Sequence, residues 1–387
     1  MFIDIHCAQE KKYDQNTYGD SFRSCLKLEE GRVIAVLSDG LGSGVKANIL
    51  SLMTATMLLR FVEEDFPITK AAEIVMNSLP VCKVRNISYA TFSVVECDDD
   101  GNVRLVEEGN PDFIWMRGTS VLSSPPQLVP SKTFPDRQLK IYHFQVETGD
   151  RLIVCSDGVT QAGLGRYGPY MTGLKREGLI ALLKTKLKRQ QNISSSELSQ
   201  FIVQSALDVY ENGLPKDDVS AGVIYFRTPR RAIIFTGAPY EQRQDAYYAN
   251  IFDKFPGKKA ICGGTTATVI GRELGRQVAM NSEAPSGDLP PQFRMDGVDL
   301  VTEGIVTLNR ALTYLENDQL DRRDPAGALV KFMLASDTIY FIVGVKLNQA
   351  HFDPNQPEDL EIRREVIRKM TSVLKDKYLK ITTVRYI

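Results

Sequence analysis

The sequence predicts an α+β fold: a two-sheet β-sandwich flanked by helices over residues 1–228, then a second, smaller α/β domain over 232–387. Three observations carry this. In the first part, hairpin-like runs of period two alternate with paired helical patterns. Two apolar strands there end in the same Ser-Asp-Gly turn, at residues 38–40 and 156–158. Near Thr228-Pro229-Arg230-Arg231 the pattern restarts, leaving about 155 residues, enough for an independent domain.

Residues 1–40 read as a strand, a polar loop and a hairpin turning at Glu30-Gly31. The run VIAVLSDGLGSG ends in Asp39 and in Gly40, Gly42 and Gly44, which free the backbone to pass from strand to helix. The helix that follows carries Ile49, Leu50, Met53, Met57, Leu58 and Phe61 at three-to-four spacing, a core face in which the methionines pack. Pro67 breaks it, and a second helix runs through AAEIVMNSLPV. From Tyr89 the period becomes two, with Asp100-Gly101 as a hairpin turn. Asp98, Asp99 and Asp100 lack the remaining ligand spacing of a calcium loop and read as a solvated turn. FIWMRG is a strand, whereas SSPPQLVPSKTFPDRQ is too rich in proline for regular structure.

KIYHFQVETGDRLIVCSDG is a second hairpin, followed by a glycine- and tyrosine-rich loop over 163–175. Of the next two helices, the earlier carries the basic run Lys184–Arg189 as a solvated face. The later opens with a capping box, Ser194 and Glu197, and ends at Gly213. LPKDDVSAGVIYFR then sets Asp217 and Asp218 just ahead of an apolar strand. In the second domain RAIIFTG, DTIYFIVGV and KITTVRYI read as strands, and YEQRQDAYYANIFDKF, TEGIVTLNRALTYLEN and DLEIRREVIRKMTSVLKDKYL as helices. SEAPSGDLPPQF is a proline-rich loop. Gly263-Gly264-Thr265-Thr266 follows a short strand; it offers backbone N–H groups to an anion or serves as a structural turn, and it lacks the Gly-Lys-Ser/Thr ending of a P-loop. Asp299 and Glu303 are one helical turn apart, as on an exposed face.

The composition is that of an ordinary globular chain, 43% hydrophobic and 25% charged, with a formal net charge of -1 that gives no support for nucleic acid or an anionic membrane as partner. No apolar run is expected to reach the roughly 18–20 residues that cross a bilayer, and MFIDIHCAQEKKYDQ does not read as a signal peptide. Six scattered cysteines without a Cys-x-x-Cys pair argue against zinc and for a reduced, cytoplasmic setting. With three histidines in the chain, metal or acid–base chemistry would rest on carboxylates.

Four acids of the first domain, Asp20, Asp39, Asp157 and Asp217, fall at strand ends or adjacent turns beside Gly, Ser or Asp. Each alone could simply cap or turn the chain. Together they form a set that suits hard divalent ions, Mg²⁺ or Mn²⁺. Two such ions can share a carboxylate and a water, acidify that water and neutralise a phosphate without a histidine base.

Taken in order, GDSF at 19–22, SDGLGSG at 38–44, GNPDFIWMRG at 109–118, GDRLIVCSDGV at 149–159 and DDVS at 217–220 resemble the motifs of the metal-dependent PPM serine/threonine phosphatases, most closely their SpoIIE-like bacterial branch. The resemblance covers roughly residues 10–227. It implies that Asp39 bridges two Mn²⁺ or Mg²⁺ ions, that the Gly40 carbonyl binds one of them, and that Asp157 and Asp217 are further ligands. Asp20 is implied to hold a metal directly or through water. Ser220 stands where this branch more often has Thr. The phosphate-gripping arginine of eukaryotic members has no evident counterpart before Asp20, where Lys11 and Lys12 stand; Lys46 is the candidate for phosphate, or else a helix-surface lysine.

The expectation is a cytoplasmic phosphatase acting on phosphoserine or phosphothreonine of a signalling phosphoprotein, with no nucleic-acid or membrane partner. Two rival readings stand beside it. One is a signalling module whose residues 232–387 bind a small ligand or partner and regulate a phosphatase output; the other is a phosphatase of small phosphoesters. A homo-oligomer is compatible with the sequence but not specified by it.

Overall fold

The computed structural model describes residues 1–27, 31–78, 90–132, 134, 137–165, 169–281, 289–345, 358–378 and 380–387. Glu30, Tyr89 and residues 282–288 of the loop SEAPSGDLPPQF lie outside them. The chain divides into two compact units, Met1–Thr228 and Pro229–Ile387.

In chain order the first unit comprises β1 (Phe2–Glu10), β2 (Asp20–Lys27), β3 (Arg32–Gly40), α1 (Gly44–Glu63), α2 (Ile68–Ser78), β4 (Ala90–Asp98), β5 (Asn102–Glu108), β6 (Ile114–Arg117), β7 (Ser120–Leu122) and β8 (Gln127–Pro130). It continues with β9 (Gln138–Gln145), β10 (Asp150–Cys155), α3 (Asp157–Thr160), α4 (Lys175–Arg189), α5 (Ser195–Leu207) and β11 (Val219–Arg227). Its strands form two sheets, β1-β11-β10-β6-β7 and β2-β3-β4-β5-β9-β8. Their facing sides share a core of Leu37, Val95, Leu105, Leu152, Ile224 and Phe226. The outer face of the six-stranded sheet, with Ile34, Val36 and Phe92, is covered by α1 and α2 through Leu50, Leu58 and Val75. That of the five-stranded sheet, with Ile153, Ala221 and Val223, is covered by α4 and α5 through Leu183 and Ile202. This is a sandwich flanked by helices, and strand alternation produces it: Ile34 and Val36 face the helices, Val33 and Leu37 the other sheet.

Several elements depart from the sequence pattern. The capping box of α5 is present, Ser194 Oγ accepting from the Glu197 N–H, but the helix ends at Leu207 and a short 3₁₀ turn occupies Glu211–Gly213. Two short strands, β7 and β8, form in and just before the proline-rich segment, because Gln127–Pro130 pairs with β9 at the sheet edge, where proline is tolerated. The buried face of α1 is Ala47, Leu50, Ser51, Thr54, Ala55, Leu58, Leu59 and Val62. Ile49 and Met53 are instead exposed, at 49% and 44%. A helix apolar nearly all round hides its true core face, and small residues take the positions closest to the sheet. The same helix is long and apolar enough to pass the length and composition test for a bilayer span, contrary to the expectation from sequence, with 44% of the tested stretch buried inside the fold.

The second unit contains β12 (Arg231–Thr236), α6 (Asp245–Lys254), β13 (Lys258–Cys262), α7 (Gly264–Leu274), β14 (Val278–Met280), β15 (Phe293–Met295), β16 (Leu300–Thr302), α8 (Ile305–Glu316), α9 (Pro325–Leu334), β17 (Thr338–Val343), α10 (Glu358–Asp376) and β18 (Ile381–Tyr386). Its sheet runs β14-β15-β16-β13-β12-β17-β18, parallel from β16 to β18 with an antiparallel edge. Helices cover both faces: Ile233 and Phe235 pack with Tyr248, Phe252 and Ile270 of α6 and α7, Ala232 and Ile234 with Leu312, Val330 and Met370 of α8, α9 and α10. Asp299 and Glu303 flank the strand β16 and are not on a helix; Asp299 accepts from the Lys259 N–H at 2.8 Å. The helix α9 was unread in the sequence, although Asp324 caps it and Pro325 opens it.

The face of α1 is testable by denaturant unfolding. Leu50→Ala should cost about 2–5 kcal/mol and Met53→Lys less than about 0.5 kcal/mol; comparable losses would refute the assigned orientation.

Candidate active site

The pairing of β2 with β3 sets Asp20 directly opposite Asp39. The pairing of β11 with β10 brings the start of β11, with Asp217-Asp218 before it, beside Ser156-Asp157 at the end of β10: Ser156 N–H donates to the Ser220 carbonyl at 3.0 Å. Both Asp-Gly turns thus meet at one edge of the sandwich, and the structure brings Asp20, Asp39, Asp157 and Asp217 within electrostatic range of one another.

Glycine is required in these turns because backbone passes where a Cβ would stand. At Gly40 that atom would overlap the Ala47 carbonyl in the first turn of α1, and at Gly158 the Asp218 carbonyl. Hydroxyls then tie the two sheets together. Ser220 Oγ, from the five-stranded sheet, donates to Asp20 Oδ2 of the six-stranded sheet at 2.5 Å and accepts from Gln9 Nε2 at 3.0 Å. Ser156 Oγ donates to the Asp218 carbonyl at 3.2 Å and accepts from the Ser220 N–H at 3.0 Å. The position of Ser220 thus needs a hydroxyl, which Ser and Thr both supply.

Asp20 is 3% exposed. Burial raises its pKa, Ser220 and Ser156 oppose the rise, and Asp218 and Asp217 add to it. Asp39 is raised by burial and by the charges of Asp20, Asp157 and Asp217, and its carboxyl shares hydrogen bonds with Asp20 and Asp157. Burial and Asp217 raise Asp157, whose Oδ2 accepts from Gln161 Nε2 at 2.7 Å. Asp217 is raised by burial and partly relieved by the Asp218 N–H and by Lys12. Among the described residues, no three Asp, Glu, His or Cys side chains stand ready to hold one ion as they are placed. The donor set nevertheless fits hard divalent cations: it is all oxygen, it is short of positive charge, and Asp157 Oδ1 is buried with no hydrogen-bond partner.

Three residues to which the sequence reading gave no site role stand at the site. Asp218 is 3% exposed, and its Oδ1 accepts from the Lys12 backbone N–H at 3.1 Å. Gln161 holds Asp157. The Lys12 charge lowers the pKa of Asp217, whereas Lys46 is exposed on the first turn of α1. The adjacency of Asp218 to Asp217 was the available signal; nothing local marks Gln161. A cavity of about 190 Å³ opens beside Asp217, lined also by Gln161, Leu164, Tyr210 and Lys216.

Two sheets flanked by helices, with carboxylates gathered at one edge of the sandwich, define the class. A family model described as stage II sporulation protein E (SpoIIE) matches residues 29–227, just over half of the chain, and the chain belongs to the SpoIIE family. The stage II sporulation protein E of Priestia megaterium is 25% identical over 231 residues, 59% of this chain and 37% of that protein. That of Bacillus subtilis (strain 168) is 25% identical over 230 residues, 59% of this chain and 26% of that protein. The chain therefore spans well under half the length of these curated relatives. A solved structure of the PP2C phosphatase domain and a fragment of the regulatory domain of SpoIIE from Bacillus subtilis is similar at 19% identity and a TM-score of 0.48, covering 58% of this chain and 64% of that one.

Metal-free protein should lose stability as pH rises. Folded carboxylates with raised pKa hold protons that the unfolded chain gives up near pH 4, so folding is favoured at low pH and the advantage is lost as pH climbs through the folded values. In chelator, the melting temperature should fall from about pH 5 to about pH 8, and Asp39→Asn should flatten the decline. A melting temperature rising over that range would contradict the assignment.

Proposed function

We propose that this chain is a metal-dependent protein phosphatase that hydrolyses phosphoserine or phosphothreonine on a signalling protein with two Mn²⁺ or Mg²⁺ ions. The observation that carries the reading is the convergence of Asp20, Asp39, Asp157 and Asp217 with a buried, unpartnered Asp157 oxygen. Membership of the SpoIIE family supports it. Asp39, in electrostatic reach of both Asp20 and Asp157, would be the acid shared by the ions; the Gly40 carbonyl, Asp157 and Asp217 would supply further ligands, and Asp20 would hold a metal directly or through water. When bound, the ions supply a water acidified to near-neutral pKa and positive charge for the phosphoryl oxygens. Ser220 and Ser156 fix the carboxylates, Gln161 orients Asp157, and Lys12 adds the fixed cation on the Asp217 side. Lys46 is a second candidate for phosphate capture.

We further propose a regulatory role for residues 232–387 and a cytoplasmic setting. Purified protein should release phosphate from a phosphopeptide only with added Mn²⁺ or Mg²⁺. Asp39→Asn and Asp157→Asn should each lower turnover about 10²-fold or more while the melting temperature of the metal-free protein is kept or raised. Full activity in chelator, or in either variant, would sink the reading. A phosphopeptide preferred over nucleotides in a side-by-side assay separates it from a small-phosphoester phosphatase.

A further inference from the structure

The second unit's parallel strands run in the order β16-β13-β12-β17-β18, so the chain builds outward one way from β12 and then restarts at β17 on its other side. In open α/β sheets of this kind, ligands bind beyond the carboxyl ends of the strands around that reversal. Here those ends are built for close approach to backbone. A Cβ on Gly237, whose φ is 80°, would stand 2.5 Å from the Gly344 carbonyl and 2.9 Å from Arg363 Nη1. The Gly237 carbonyl itself accepts from the Tyr248 hydroxyl at 2.5 Å.

One strand further along, two helices of 11 and 12 residues, α7 and α8, begin side by side. Their N-caps are Gly263 and Gly304; neither has a side-chain cap, and neither first turn holds an acid. The Gly263 N–H bonds to the Thr302 carbonyl at 2.8 Å, and a Cβ on Gly263 would lie 3.9 Å from Gly304 Cα. Both helices carry threonine at their third position, Thr266 and Thr307, at 1% and 0% exposure. Both hydroxyls lack a hydrogen-bond partner among the described residues. Thr266 Oγ1 is aimed at the cap, 3.2 Å from the position of a Gly263 Cβ. Gly263, Gly264 and Thr265 remain open to solvent. The carboxylate of Glu303 lies between the two N-termini, Oε2 accepting from the Gly304 N–H at 3.3 Å and Oε1 3.4 Å from the position of a Gly264 Cβ. An anion is thus already held there, by the chain itself.

We propose that the paired N-termini of α7 and α8 form a binding site for the phosphate group of a small ligand, which displaces the Glu303 carboxylate and accepts from backbone N–H groups and the Thr266 hydroxyl. Uncapped N–H groups, two aligned helix dipoles and an orphan buried hydroxyl suit a tetrahedral oxyanion.

The test is calorimetric titration of the full chain in chelator, which removes metal-dependent phosphate binding from the first unit. The probes are inorganic phosphate and adenosine monophosphate. One-site binding is expected, weakened about ten-fold by Thr266→Val, the scale of one charge-assisted hydrogen bond. Glu303→Gln should tighten it several-fold, and this variant decides the matter should Thr266→Val fail a thermal melt. Tighter nucleotide binding assigns a nucleotide; equal affinity assigns the phosphate alone. No binding of either probe at millimolar concentration, affinities unmoved by the variants that fold, or binding lost in Asp39→Asn would overturn the proposal.

Discussion

Placing Asp20 directly opposite Asp39 on neighbouring strands, with Asp157 and Asp217 close by, is a conflict that the first unit is organised to contain. Two like charges about 4 Å apart at the effective dielectric of a protein surface repel by about 4 kcal/mol, and directly opposed like charges weaken a strand pair. Donors from Ser220, Gln161 and the Asp218 N–H relieve part of this. None of these supplies a full positive charge; Lys12 brings one into reach of Asp217. A cluster that stays costly until cations arrive is the expected form of a site kept for chemistry rather than for stability.

Such a cluster must be held by neighbours that cannot yield. The glycines of the two Asp-Gly turns let α1 and the start of β11 come into contact with the turns themselves, so the acids have little freedom to spread apart. The hydrogen bond from Ser220 to Asp20 crosses between the two sheets. Repulsion is therefore resisted by packing on one side of the site and by hydroxyl bridges on the other.

Much of this was legible in sequence because it depends on local chemistry. An apolar strand closing in Ser-Asp-Gly announces both the turn and the acid, and five ordered motifs implied the family. The unread parts depend on partners distant in the chain. Asp218 is buried through a backbone contact from Lys12, 206 residues away, and α1 presents a face chosen by the sheet beneath it. The strand β8 exists because β9 offers it an edge, not because QLVP prefers to be extended. In the second unit the reading Asp299-to-Glu303 as one helical turn failed because Leu300–Thr302 is a three-residue strand, too short to show a period. The helix α9 did carry local signals, an Asp cap followed by Pro, within a stretch whose apolar residues mask periodicity.

The two units solve opposite electrostatic problems with the same device, a strand end followed by glycine and small hydroxyl residues. In the first, carboxylates converge at Asp39-Gly40 and Asp157-Gly158, so that edge can accept an anion only after cations have reversed its sign. In the second, Gly263-Gly264 and Gly304 present helix N-termini, and Glu303 supplies the negative charge that the edge lacks. On the two proposals above, a phosphate group would meet a metal-dependent site in one unit and a metal-independent site in the other. Chelation separates the two physically, and because the second asks for no bridging ion, its occupancy depends on ligand concentration alone. That is the property the proposed regulatory role would need: a second unit that reports on a small phosphorylated molecule without drawing on the metals of the first.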